Sequence, residues 1–242
     1  MSPPAAQRTF PTTQWSLVIR LKSADAKEVQ QAVHDIFTAY RYPLYGYLRS
    51  SGLGHEDAED VLQGFFQKMM RTHSFGKADP ARGKLRTFLL TALSRFKVNF
   101  QRGEQRRHQR VRAEADLWDA DEARWQREQH ATQETPEHAY DRRWAVELIE
   151  QVRHRLRQHF EQVGKGELYL ALSPLLSSEQ PETEAFAQIA ARLSMTENAL
   201  RVALSRLRRD FRDALLKEVK RTLDEGDDAR VEIQHLLELF RR

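Results

Sequence analysis

Apolar residues recur at positions 85, 88, 89, 92, 93, 96 and 100, the one-sided stripe of an amphipathic helix. The same period begins near Ala26, where Pro43 and Gly46 are expected to interrupt a first helical region. It resumes over about 55–72, after Gly52 and Gly54. Gly76, Pro80 and Gly83 predict a loop, with Asp79-Pro80 as a helix N-cap followed by a first-turn proline. The period then fades, and 106–140 reads as a polar linker, partly helical at most. From Asp141 it returns with Trp144, Leu148, Val152, Leu156 and Phe160, and Val163-Gly164-Lys165-Gly166 breaks it. Further helices are expected over 167–176 (ended or bent by Pro174), 183–193 and 197 to about 215. A helical tail from Lys217 should break near Gly226. No stretch reads convincingly as a strand, and no repeat is visible. The expected class is all-α: two small helical domains joined by a polar linker, the second ending in a helix-turn-helix, plus a C-terminal extension. The segments are 1–25, 26–107, 108–138, 139–216 and 217–242.

Composition supports the helical reading, since 242 residues hold 10 Gly and 8 Pro, fewer turn-formers than average. The absence of Cys excludes disulfides, thiolate metal sites and Cys nucleophiles, and fits a reducing cytoplasm. The first eleven residues carry Pro3, Pro4 and Pro11 but no apolar signal-peptide core. The longest apolar stretch, Leu168 to Leu176, is too short to span a bilayer. The expectation is a cytoplasmic chain with no membrane partner.

Net charge sharpens the picture only when resolved along the chain. The total is +4, but residues 82–112 carry ten basic residues against Glu104, for +9. Residues 192–221 carry +5, and 113–142 carry −6. His55 to Asp60 holds four acids in six positions. Two basic modules therefore flank an acidic segment, with an acidic patch ahead of them.

Both basic modules fall on amphipathic helices. In the first, Arg95, Asn99, Arg102 and Arg106 form a stripe opposite Leu89, Ala92, Leu93, Phe96 and Phe100, with Lys84, Arg86 and Phe88 at its start. Cations beside an aromatic suit unstacked, single-stranded DNA. In the second, Phe186 to Arg209 has helix-turn-helix form, with Ser194-Met195-Thr196 as the turn and Thr196 as N-cap of the second helix. That helix buries Leu200, Ala203, Leu204, Leu207 and Phe211. It presents Asn198, Arg201, Ser205, Arg208 and Arg212, flanked by Arg206 and Arg209, as a major-groove reader would.

Four stretches together resemble a bacterial RNA polymerase sigma factor of the extracytoplasmic-function class. They are Tyr42-Pro-Leu-Tyr-Gly-Tyr-Leu48, His55-Glu-Asp-Ala-Glu-Asp-Val-Leu-Gln-Gly-Phe-Phe66, the run from Asp79-Pro-Ala-Arg-Gly-Lys-Leu-Arg-Thr-Phe-Leu-Leu90 to Arg107, and the helix-turn-helix from Thr183 to Arg209. Thr12-Thr-Gln-Trp-Ser-Leu-Val18, Glu134-Thr-Pro-Glu137 and the helical extension resemble one subgroup of that class. Phe88, Asn99 and Gln188 stand where many relatives carry Trp, Asp and Glu.

The resemblance implies partners and roles. Core RNA polymerase would be met at its clamp coiled coil by Asp57, Asp60, Gln63 and Phe66, with Ala58, Leu62 and Phe65 inward, and also at its flap. The −10 promoter element would be met by Lys84, Arg86, Phe88, Arg95, Lys97, Asn99, Arg102, Arg106 and Arg107. The −35 element would be met by Thr196, Glu197, Asn198, Arg201, Ser205, Arg206, Arg208 and Arg209. Control by an anti-sigma factor, a kinase or the extension stays open. Leu223, Val231, Leu236, Leu239 and Phe240 of the extension either pack on the C-terminal domain or cover a DNA surface.

The rival reading is a helix-turn-helix regulator that binds duplex DNA without polymerase. It leaves the acidic patch and the first basic helix unexplained. A further rival is an interaction protein with a degenerate DNA module. Nine His occur, none at a metal-binding spacing, and there is no phosphate-binding glycine loop, so no enzyme, cofactor or metal is expected.

Overall fold

Glycine-poor, alanine- and leucine-bearing segments with period 3.6 have one way to bury their apolar stripes: helix against helix. The computed structural model is all-helical, with no strand among the described residues. It describes residues 17, 18, 20, 21, 23, 25–71, 84–103, 115–128, 134–176, 183–223 and 228–240, with the backbone alone at 26, 101–103, 115–117 and 183–185. The expected Asp79-Pro80 cap lies outside them.

The helices are α1 (Ala26–Ser50), α2 (His55–Arg71), α3 (Leu85–Gly103), α4 (Ala115–Glu128), α5 (Pro136–Gln162), α6 (Gly166–Leu172), α7 (Thr183–Arg192), α8 (Glu197–Lys220) and α9 (Ala229–Glu238). A 3-10 turn, Ser173–Leu176, follows α6 and carries the bend expected at Pro174. The chain divides into two units: 1–147 with 220–242, and 148–219. The division falls inside α5 rather than in 108–138, and residues 220–242 of the C-terminal extension belong to the first unit, while 217–219 continue α8.

In the first unit α1 is the element on which the others gather. Asp25 caps it, accepting from the Lys27 amide at 2.9 Å. Contrary to the sequence expectation, α1 runs unbroken through Pro43. A proline inside a helix costs about 3 kcal/mol. Here Tyr40, Leu44, Tyr45 and Leu48 are all fully buried around it, and their burial outweighs that loss. Gly46 does not break the helix either. A Cβ there would lie 2.7 Å from Arg143 Cδ, so the glycine lets that side chain cross the helix surface. Gly52, at φ +89, closes the helix C-terminus.

Against α1 pack α2 and α3, on which Leu62, Phe65, Leu85, Leu89 and Leu93 are buried. The third helix on α1 is a correction. Residues 115–128, expected as part of a polar linker, form α4 and pack on α1. Trp118 and Trp125, seven residues apart, are buried at 1% and 7% exposure. Asp121 between them is buried too. A helix anchored by two tryptophans and a buried acid carries little apolar periodicity.

In the second unit Val152 and Leu156 of α5 join Tyr169, Leu172, Phe186, Ala190, Leu200, Leu204 and Leu207 in one cluster. α7 and α8 meet at the expected turn. Ser194 stands at φ +52, where glycine would be unstrained, and the Ala199 amide donates to Thr196 Oγ1 at 3.2 Å. Leu200→Ala should cost about 2–5 kcal/mol, while the neighbouring Arg201→Ala should change stability by less than about 0.5 kcal/mol. Urea denaturation followed by circular dichroism checks both.

Candidate nucleic-acid and protein interfaces

The acidic helix α4 is held by cations of its own unit. Arg41 of α1 pairs with Asp121, and both side chains are nearly excluded from water. Arg41 also lies over the Trp118 ring at 5.4 Å. About two turns further along α1, Arg49 donates to Glu122 at 2.9 Å and covers Trp125 at 4.1 Å. The Tyr45 hydroxyl donates to Glu122 at 2.6 Å. Since that hydroxyl has one proton, His55 Nδ1, at 2.8 Å, is the donor to its oxygen. Glu128 accepts from Tyr42 at 2.7 Å and pairs with Arg124 and Arg143.

Burial by itself raises the Glu122 and Glu128 carboxyls. For Glu122 the bonds from Tyr45 and Gln126 and the charge of Arg49 prevail, and for Glu128 the bonds from Tyr42 and Arg124. Both end below the usual glutamate value. Burial above all, and then the same carboxylates, push the Tyr42 and Tyr45 hydroxyls upward.

With those acids engaged, Asp119 and Arg127 are the exposed charges left among the described side chains of α4, and further exposed charge lies on α2, α3 and α8. On α2 Asp57 is exposed, Asp60 and Gln63 are half-buried, and Ala58, Leu62 and Phe65 point inward as expected. Phe66 does not face outward. It is 3% exposed, edge-on to Phe37 at 5.0 Å and Phe65 at 5.4 Å, because the α1 groove takes it.

On α3 Arg95 and Asn99 are exposed, and Lys97, half-buried, lies over Tyr47 at 5.2 Å. Phe88 is half-buried and Lys84 partly exposed. Arg86 departs from expectation: it is 4% exposed, pairs with Asp141 at 3.1 Å and lies over Trp144 at 4.3 Å. The first turn of α3 aims it at neighbouring helices of its unit rather than at solvent. The Arg102 side chain, Arg106 and Arg107 lie outside the described residues.

A cleft of about 130 Å³ between α2 and α3 is floored by Phe65, Met69 and Phe96 and rimmed by Lys68, Arg95 and Asn99. Lys68, 5.4 Å over Phe96, was missed by sequence reasoning. It sits at the end of an otherwise acidic helix, and its basic neighbour Arg71 was the available signal.

In the second unit Thr196, the cap of α8, and Glu197, Asn198, Arg201, Ser205, Arg206 and Arg209 along its first thirteen residues are all exposed. Arg201 lies over the Phe186 ring at 5.3 Å and 3.7 Å from Glu197, which lays it along the helix surface. Arg208 is half-buried and donates to the Leu175 carbonyl at 3.0 Å, so it braces the 3-10 turn.

No protein-family model matches this chain, and no curated protein or solved structure matches it either. Among the described residues no group of three or more His, Asp or Glu could hold a metal ion, and no helix is long and apolar enough to cross a membrane. Among the described residues the arrangement offers an acidic patch on α2, at Asp57 and Asp60, and exposed cations on α3 and α8.

Asp121→Ala strands Arg41 in the interior and should cost about 3–5 kcal/mol, whereas Arg41→Met with Asp121→Leu should recover most of the loss. Urea denaturation of the three variants checks this. Because Glu122 and Glu128 titrate lower when folded, their contribution is complete above the ordinary glutamate pKa of about 4.3 and is lost as pH falls below it. The melting temperature should therefore drop steeply below about pH 4. Glu122→Gln should flatten that drop in a thermal scan across pH.

Proposed function

We propose that the chain is a transcription initiation factor that binds core RNA polymerase and directs it to promoters through −10 and −35 elements. The observation that carries this reading is the capped α7–α8 helix pair with Asn198, Arg201, Ser205, Arg206 and Arg209 exposed together on one helix. Such a face fits the major groove, with N-terminal residues at base edges and arginines at phosphates. The exposed Arg95 and Asn99 of α3, beside the aromatic floor of the α2–α3 cleft, suit a melted −10 strand. Asp57 and Asp60 offer the acidic patch for the polymerase clamp, with complementary charge setting orientation and association rate. The work would be done in the cytoplasm, where polymerase and promoters are.

A helix-turn-helix regulator acting on duplex DNA without polymerase would use α8 alone. It gives no role to the α2 patch or the α3 face.

The wild-type chain should co-elute with its cognate core polymerase. Asp57→Lys with Asp60→Lys should lower that affinity at least about tenfold, or 1.4 kcal/mol, while circular dichroism stays unchanged. A chain that never associates with core enzyme, yet protects a palindromic duplex as a dimer, would overturn the proposal. Arg201→Ala should narrow discrimination between upstream-element sequences by about 1–3 kcal/mol, measured by competition with mutated promoters.

A further inference from the structure

The extension helix α9 has no part in the proposed function, yet it lies against the start of α3. Asp228 caps it, accepting from the Arg230 amide at 2.8 Å. Four residues on, Glu232 is 4% exposed, in a residue class almost never buried without a partner. Its carboxylate is ion-paired with both Lys84 and Arg86. Burial pushes the Glu232 carboxyl up, but the two cations outweigh it and hold the group below the ordinary glutamate value. A buried carboxylate gripped by a lysine and an arginine presents to them what a nucleic-acid phosphate presents: a compact anion with oxygens for charge-assisted bonds.

We propose that α9 is an intramolecular latch in which Glu232 takes the place of a DNA phosphate on Lys84 and Arg86, so that single-stranded DNA must displace α9 to engage the start of α3. The latch rests on the reading of α3 as a DNA-binding helix. Its hold is narrow enough to open. α9 has ten residues, fewer than an isolated helix needs for stability, and Val231 and Leu237 are 66% and 49% exposed. Glu232 and Leu236 are its buried anchors. Segments with few buried contacts open at a small fraction of the global unfolding free energy. Displacement frees Lys84 first, because Arg86 keeps Asp141 and Trp144.

The test uses the full chain and a fluorescein-labelled single-stranded DNA of mixed sequence, about 20 nucleotides long. Glu232→Gln removes the competing charge. Asp228→Ala weakens the cap on an exposed residue and touches neither cation, so it carries the test if the first variant misfolds. A latch closed about nine-tenths of the time predicts about tenfold tighter binding by Glu232→Gln and a smaller gain for Asp228→Ala. Amide exchange over 229–238 should quicken when DNA is added to the wild type, and Lys84→Ala should weaken binding in the Glu232→Gln background. Equal affinities for wild type and both variants, with Lys84→Ala still weakening binding, would overturn the latch and leave α3 as a DNA-binding helix. If Lys84→Ala has no effect in any background, the DNA-binding reading of the α3 start fails, and the latch fails with it.

Discussion

Asp121 sits in the interior against Arg41, and this buried pair decides what the acidic middle of the chain can be. Left in water, a segment of net charge −6 would extend as a linker. Here three of its acids on α4 are instead matched: Asp121 to Arg41, Glu122 to Arg49 and Tyr45, Glu128 to Tyr42, Arg124 and Arg143. Buried ion pairs add little net stability over an apolar replacement, but they tolerate few alternatives in register. Trp118 and Trp125 supply the apolar contact, and the pairs fix which face of α4 they serve.

The consequence is electrostatic. Cations of α1 and α5 are consumed inside the first unit, as Arg41, Arg49 and Arg143 show. Those at Arg95 on α3 and at Arg201, Arg206 and Arg209 on α8 remain at the surface. Such charges act on partners through fields and on-rates more than through static affinity. Under the proposed function, the fold neutralises the charges it needs for its own assembly and leaves exposed those that meet DNA and polymerase. Under the proposed latch Glu232 is the exception, an acid spent on Lys84, a cation that would otherwise be open to nucleic acid.

Much of this was legible in the sequence, for identifiable reasons. Helices α2, α3, α7 and the start of α8 follow from clear 3.6-residue stripes bounded by glycine or by a capping threonine. The Ser194 turn and the Thr196 cap were readable because their chemistry is local. What escaped depended on distant partners. Nothing near Pro43 announces that Tyr40, Leu44 and Leu48 would be buried deeply enough to carry a helix through it, and Gly46 makes sense only once Arg143 crosses it. Asp121 and Arg86 look like surface charges until Arg41, Asp141 and Glu232 are placed beside them. Phe66 belongs to the α1 groove for the same reason. Hydrophobic period records apolar burial well and paired-charge burial hardly at all.

Under the proposed function, the chain gives a polymerase its promoter. The most direct measurement is in vitro transcription from fragmented genomic DNA of the source cell by purified cognate core enzyme, with start sites mapped by sequencing. Adding the chain should produce initiation at a defined set of sites sharing two upstream elements about two helical turns apart. Transcription that stays at the core-enzyme background, with no shared start sites, would contradict it.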